Sequence, residues 1–523
     1  MGFKKKYNFT VFSAAAGAPA GRTAWTPAPT PDGGRAIAID GSIAAFGVAD
    51  RAKTTYGSLS ITTFLNTLWT VMEETARAAS ADIVFVAFDL YTSGPTIKDP
   101  ERERRKAQER DPPLDAAATI EFLLDADALL PGAWANVRAT SYEHSTYGRR
   151  SLINHFYEHL FKKLRAGDCP EVPDGMKFGF YGDPLNPAEV LFVESLDGVK
   201  RITTDPFTAT SEAEHAIVRL IWRYAQLAGL VIANDTDIEL ILLFHWIIRA
   251  YLAKLGLPDL RGPAGQAVAV LRTGASPEAA LQNRHHKWYL APFYAEENLA
   301  PLLGWSRDHV DESGVLLYGI IGILSAGCDY LEPQAGIAPE DAAQLALEWI
   351  RDSANPKVAW FIEGASPSGA VAIHVDRRRL QAFYDWATDK VNARLSLRKK
   401  SLAIVPYIQI TPLLCDQLNF VLHRYANATL GDCALDDPRN WGWEEVDGKF
   451  QLCTAASCCI DGSCADDDWP IFPPNRVASV PPDSPPCVLP GSPLRVTPSA
   501  EYRSKRSAST DDGPPRKRQA SCH

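Results

Sequence analysis

Long apolar runs are missing from this chain. None reaches the ~18–20 residues that a membrane-spanning helix needs, and the longest, around residues 240–248 and 315–324, have the size of core elements. No membrane partner is expected. An excess of positive charge is missing too. With 53 Lys+Arg against 63 Asp+Glu, the net charge of −10 excludes a protein that coats nucleic acid by general basicity, while leaving room for a local basic groove. Behind Lys4–Lys6 there is no leucine-like apolar core, so an ordinary signal peptide is not expected. Lys6 stands where N-myristoylation needs Ser or Thr. Cysteine is scarce through most of the length, seven of the ten lying after residue 430. Cys453, Cys458, Cys459 and Cys464 lack the C-x2-C pairs common in structural zinc sites, so zinc is not expected there.

What is present is ample apolar material, 46% of 523 residues, enough for a sizeable core in two or three average domains or one long α/β fold. The organising stretch is residues 211–237, SEAEHAIVRLIWRYAQLAGLVIANDTD. Glu212 and Glu214 open it at i and i+2. Ile217, Leu220, Ile221, Tyr224 and Leu227 follow at helical spacing. Gly229 ends that run, and residues 230–233 read as a short buried strand that empties into Asp235 and Asp237. In open α/β sheets, ligands gather at the carboxyl ends of the strands. Four carboxylates brought together there repel one another unless a cation intervenes, and hard divalent cations prefer oxygen. Singly, EAE is common on solvated helix faces and DTD is common in turns. Other segments, however, end in the same way: RAIAID delivers Asp40, DIVFVAFD delivers Asp89, and the apolar residues 316–324 lead to Asp329.

The ordered set IDGS, FDL, SEAEHA, ANDTD and GCDYLEPQAGIAP resembles the flap endonuclease/XPG superfamily of structure-specific 5′ nucleases. No single motif is specific; the ordered set carries the resemblance, over roughly residues 1–401 with insertions. It implies a PIN-like α/β core, a central mostly parallel twisted sheet flanked by helices, with a helical arch and a helix–turn–helix element. It also implies seven metal-site acids: Asp40, Asp89, Glu212, Glu214, Asp235, Asp237 and Asp329. They would hold two Mg2+ or Mn2+ ions, which activate phosphate and water. Asp89 and Glu214 are the first choices as direct ligands of one ion, with Asp235 and Asp237 on the second. The remaining three would act directly or through water.

Further roles come from the same resemblance. Gly2 would thread close to the site, and Phe46, six residues after Asp40, would stack on a base. A core phenylalanine reads the same in sequence. In the charged run KDPERERRKAQER, Lys98, Arg104 and Arg105 would meet the scissile phosphate from the arch and stabilise developing negative charge. Gly336, Ile337, Ala338 and Pro339 match the turn that holds duplex phosphates with a monovalent cation. Three departures stand out. Leu90 follows Asp89 where most of the family has Gly, Ala338 replaces a second Gly, and Glu340 occupies the place of a phosphate-binding Lys. Grip on a duplex would then be weaker, or come from Arg377–Arg379 and Arg398–Lys400. The run RHHKWY at residues 284–289 is expected to be an ordinary surface segment, and residues 153–164 a packing helix within the arch region, residues 90–211.

This gives four regions. Residues 1–210 form an N-terminal nuclease region with a long arch insertion, and residues 211–401 a second region carrying the helix–turn–helix element. Residues 402–468 are a C-terminal extension with the cysteine cluster. Residues 469–523 form a Pro/Ser-rich tail expected to be disordered. Its basic clusters, Arg503–Arg506 and Arg516–Arg518, are spaced like a two-part nuclear import signal, so the nucleus is expected, otherwise the cytoplasm. The sliding-clamp-binding box that many flap endonucleases carry is not recognisable. The expected activity is metal-dependent hydrolysis of phosphodiesters in flap, branched or nicked DNA. The alternatives are an RNA endonuclease of the viral host-shutoff type and a non-catalytic nucleic-acid-binding scaffold.

Overall fold

The computed structural model describes residues 36–41, 59–79, 81–90, 148–207, 212–225, 229–233, 268–271, 288–290, 312–334, 336–352, 360–365, 371–397, 404–426, 438–441, 443–447 and 449–452, with short stretches at 48, 51–52, 54–57, 237–238, 240–241, 244 and 354–355. The chain divides into two units, residues 1–483 and 484–523, and every described residue lies in the first.

An eight-stranded sheet organises that unit. Its strands are β1 (Ala36–Asp40), β2 (Ile83–Ala87), β3 (Lys177–Tyr181), β4 (Glu189–Leu196), β5 (Val199–Pro206), β6 (Gly229–Ile232), β7 (Val268–Leu271) and β8 (Trp288–Leu290). The spatial order is β5-β4-β3-β2-β1-β6-β7-β8. The five middle strands run parallel, and β4, β5 and β8 complete the edges antiparallel. The chain is thus α/β with a mostly parallel central sheet flanked by helices. β1 lies between β2 and β6, so strands from both sides of residue 211 share one sheet.

Parallel strands covered on both faces read as continuous apolar runs rather than alternating ones, which is why AIAID and IVFVA carry no polar residue before their ends. Their side chains divide by parity. Ala36, Ala38, Phe85 and Ala87 enter one core; Ile37, Ile39, Val84 and Val86 enter the other. The second core is closed by helices α1 (Ile61–Ala79) and α2 (Gly148–Ala166). Ser60 starts α1 by reciprocal capping: its Oγ accepts from the Thr63 amide at 3.2 Å, and its own amide donates to Thr63 Oγ1 at 2.7 Å. On α2, Phe156, Leu160, Phe161 and Leu164 are buried, as packing residues should be.

The first core is larger. It takes in α3 (Ala213–Ala225), α4 (Glu312–Ala326), α5 (Pro339–Arg351), α6 (Arg377–Leu397) and α7 (Pro412–Ala426). The apolar residues 316–324 form part of α4, a helix apolar on all sides because it is buried on all sides. A two-stranded antiparallel pair, β9 (Trp360–Ala365) with β10 (Val371–Val375), precedes α6. A second pair, β11 (Trp443–Val446) with β12 (Lys449–Leu452), follows α7.

Two sequence expectations change. Residues 177–206, grouped with the arch above, supply three strands of the sheet. The hairpin between β4 and β5 turns on Asp197 and Gly198, both at positive φ (53° and 73°), the Asp-Gly signature of a two-residue hairpin. Trp288 and Tyr289, read as surface segment, belong to edge strand β8. Among the described residues no helix is long and apolar enough to cross a membrane.

Candidate metal centre

The sheet delivers its first acid directly. Asp40 ends β1, opposite Ala87 of β2, and is buried at 5% exposure. The chain then turns away through Gly41 at a point where nothing larger fits. A Cβ there would stand 2.4 Å from the Ala87 carbonyl oxygen and 2.5 Å from Phe88 Cδ1. The Gly of IDGS thus lets the carboxyl ends of β1 and β2 close on each other.

Asp89 leaves β2 two residues after that contact. Its Oδ1 accepts from the Ala213 amide at 2.9 Å. Glu212 and Glu214 flank Ala213, and the Ala216 amide donates to the Glu212 carbonyl at 3.1 Å, so this is the first turn of α3. The amides of a helix N-terminus lack intrahelical partners and favour negative charge. A helix start thereby ties Asp89 to the segment that carries Glu212 and Glu214. Asp89 is half-buried, while Glu212 and Glu214 are 7% and 9% exposed.

Asp329 follows α4. Gly327, at φ 73°, ends the helix, and the Cys328 amide donates to the Leu331 carbonyl at 2.9 Å, fixing a tight turn that carries Asp329 and Tyr330. The Tyr330 hydroxyl donates to Glu212 Oε2. Asp237 is 1% exposed, and its Oδ1 accepts from the Tyr425 hydroxyl at 2.9 Å. Cys328 reports the resulting field. Burial, followed by the nearby charge of Asp237 and, to a smaller extent, Asp329, pushes its thiol up to about 12. Burial and Asp237 likewise push the Tyr425 phenol well above its usual range.

Two residues that the sequence reading missed belong to this site. Arg424 Nη2 donates to Glu212 Oε1 at 3.1 Å, and Tyr425 is the partner of Asp237. Both come from the last turn of α7, in the extension that carried no site assignment. Nothing in the sequence of α7, which also carries Asp416, Gln417, Asn419 and His423, sets these two residues apart.

Asp40, Asp89, Glu212, Glu214, Asp237 and Asp329 all lie among the described residues: Asp40 at the end of β1, Asp89 just after β2, Glu212 and Glu214 at the start of α3, Asp329 in the Cys328–Tyr330 turn, and Asp237 against Tyr425. Asp235 lies outside the described residues, as do Gly2, Phe46, Lys98, Arg104, Arg105, Arg398–Lys400, Cys453–Cys464 and the basic tail. Among the described residues no group of three or more His, Cys, Asp or Glu side chains is arranged to hold a metal ion. In kind, the donors fit a hard divalent cation: they are carboxylate oxygens, mostly buried, where uncompensated negative charge is costly.

The Gly-Ile-x-Pro turn sits at the start of α5. Gly336 has φ 133°, a conformation that favours glycine, and a Cβ there would meet Ile408 at 2.9 Å. Ile337 is buried, Gly336 and Ala338 are exposed, and Pro339 occupies the first helical turn. Ala338 supplies no side-chain cap, and the acidic Glu340 and Asp341 occupy the first turn of α5. Gln381 of α6 clamps the segment that packs on Gly336: its Nε2 donates to the Ile408 carbonyl at 2.8 Å and its Oε1 accepts from the Ile410 amide at 2.7 Å. Arg377 and Arg378, one turn before Gln381, are exposed. The chain matches no family model and no curated protein.

Proposed function

We infer that the chain is a divalent-metal-dependent phosphodiesterase acting on nucleic acid, of the flap endonuclease type that its motifs resemble. The observation that supports this reading best is the hydrogen bond from the Ala213 amide to Asp89, which joins the FDL motif to the SEAEHA motif at the start of α3, while Asp40 ends the neighbouring strand β1. Two motifs 124 residues apart that meet at a helix start in this way are more than isolated surface features.

In this reading Asp40, Asp89, Glu214, Asp235, Asp237 and Asp329 hold one or two Mg2+ or Mn2+ ions, with Glu212 beside them. Bound ions would supply electrophilic activation of the phosphate and of the attacking water. The chain's own part is to fix the carboxylates by burial and by backbone and tyrosine donors, and to present Arg377 and Arg378 to the nucleic-acid backbone. Lys98, Arg104 and Arg105 are assigned to the scissile phosphate on the resemblance, and the basic tail to nuclear import.

Branched or nicked DNA is the favoured substrate, because a Gly-Ile-x-Pro turn followed by a helix start suits the phosphates of a duplex. A second reading, an RNA endonuclease, draws on the exposed Glu340 in that same turn, since a carboxylate there repels phosphate. Cleavage of labelled flap DNA, nicked duplex and single-stranded RNA, each with Mg2+, Mn2+ or a chelator, tests the proposal and separates the two substrates. Metal-independent cleavage, or none on any substrate, would refute it.

A further inference from the structure

The last turn of α7 enters the acidic site with a cation of its own. Glu212 has both carboxylate oxygens engaged: Oε2 accepts from the Tyr330 hydroxyl, and Oε1 accepts from Arg424 Nη2 at 3.1 Å. The guanidinium of Arg424 also lies over the Tyr330 ring, 5.3 Å from its centroid, and the Tyr330 and Tyr425 rings are 6.0 Å apart. Arg424 and Glu212 are buried at 8% and 7% exposure, so their charges meet away from bulk water. The adjacent Tyr425 fixes Asp237. One helical turn therefore holds two of the candidate metal acids, each through a direct hydrogen bond.

We propose that Arg424 is a built-in counter-ion of this site, competing with a divalent cation for Glu212. The proposal rests on the reading of these acids as a metal centre. A buried carboxylate needs a compensating positive charge, and a guanidinium or a divalent ion can supply it. An oxygen that accepts from Arg424 has one lone pair directed at the guanidinium, and the positive charge of that group disfavours a second cation at the same carboxylate. Direct coordination by Glu212 is weakened while Arg424 holds it, so the cation must rely more on the other acids or displace the guanidinium. Arg424 acts through Glu212 and is a positioning residue.

The test is Mn2+ binding to the full chain, by calorimetric titration and by electron paramagnetic resonance of free Mn2+, for wild type, Arg424→Gln, Arg424→Lys and Tyr330→Phe. Competition predicts that Arg424→Gln binds Mn2+ more tightly, on the order of tenfold, as expected when a charge-assisted hydrogen bond no longer has to be broken. Arg424→Lys, which keeps the charge, should stay within about twofold of wild type by the same reasoning. Arg424→Gln should melt at lower temperature without metal and gain more from added Mn2+ than wild type does. A merely structural role predicts the lower melting point with unchanged or weaker binding. Should Arg424→Gln fail to fold, Tyr330→Phe carries the test, because it deletes only the hydroxyl that occupies Oε2 and is expected to tighten binding a few-fold. Unchanged or weaker Mn2+ binding in Arg424→Gln, or in Tyr330→Phe where Arg424→Gln does not fold, overturns the competition while leaving the metal centre standing. If wild type and variants alike bind no Mn2+, the metal centre and the proposal both fall.

Discussion

The amide of Ala213 donates to Oδ1 of Asp89 at 2.9 Å, joining residues 124 positions apart. Asp89 thereby has two separable duties. It satisfies a helix-start amide that no intrahelical carbonyl can reach, and it places its charge among the acids of α3 and β1.

Substitution should separate those duties. Asp89→Asn keeps an oxygen acceptor for Ala213 but loses the charge. Asp89→Ala loses both and should cost about 0.5–2 kcal/mol of stability, the usual worth of such a cap. On the proposed function, both should lower nuclease turnover at least about a hundredfold, since each would remove a metal-ligating carboxylate. Chemical denaturation beside a turnover assay checks this. Equal stability loss in the two variants would refute the capping role, and retained turnover in either would refute the ligand role.

Tyr425→Phe should be costly without any change of shape. It leaves Asp237 Oδ1, in a residue only 1% exposed, without its tyrosine donor. About 1–3 kcal/mol is expected for removing a hydrogen bond to a buried charged acceptor, measured as a shift in denaturation midpoint. The loss should be partly recovered by saturating Mn2+, which offers that carboxylate an alternative partner.

Asp416 gives a pH signature remote from the acids. Burial alone pushes its carboxyl up to about 6 from an ordinary 3.8. A raised acid binds its proton more tightly in the folded state. Its favourable contribution is complete below pH ~3.8 and is lost as pH rises through about 6. Asp416→Asn should therefore stabilise the protein at pH 7.5 by about 1–3 kcal/mol and make little difference near pH 4. Denaturation midpoints at the two values test the sign, and a gain only at low pH would contradict it.

Glu340→Lys reports on the turn before α5. The residue is exposed, so its replacement should leave the fold intact, apart from a few tenths of a kcal/mol for a cation at a helix start. If the turn touches duplex phosphates, affinity should rise and its dependence on salt should steepen by about one unit of log–log slope. Binding to labelled duplex across a salt series checks this. An unchanged slope would show that the turn does not meet phosphate.

The parts of the fold that were legible in the sequence are those whose chemistry is local. AIAID and IVFVA declare buried parallel strands through unbroken apolar character. Residues 213–225 declare a helix through their spacing. Lys177–Tyr181 and the Asp197–Gly198 hairpin carried a readable signal, but the resemblance drew that region into the arch. The candidate acids stand out in the sequence because each adjoins an element that announces itself, Glu212 and Glu214 opening α3 and the aspartates following a strand or α4. Arg424 and Tyr425 do not stand out, since their partners Glu212 and Asp237 lie 212 and 188 residues away and only the meeting of the end of α7 with the start of α3 and with Asp237 pairs them. Long-range pairing of buried polar groups has no period that a sequence displays.

The measurement that bears most directly on the central claim is cleavage by the purified full-length chain of a 5′-labelled flap substrate, with Mg2+, with Mn2+ and with excess chelator, alongside Asp89→Asn. A chain that builds a divalent-metal centre from Asp40, Asp89 and the start of α3 should cut near the flap junction with either ion, and should stop cutting with chelator or with the Asp89 variant. Cleavage that persists in chelator, or that survives in Asp89→Asn at the wild-type rate, would contradict it.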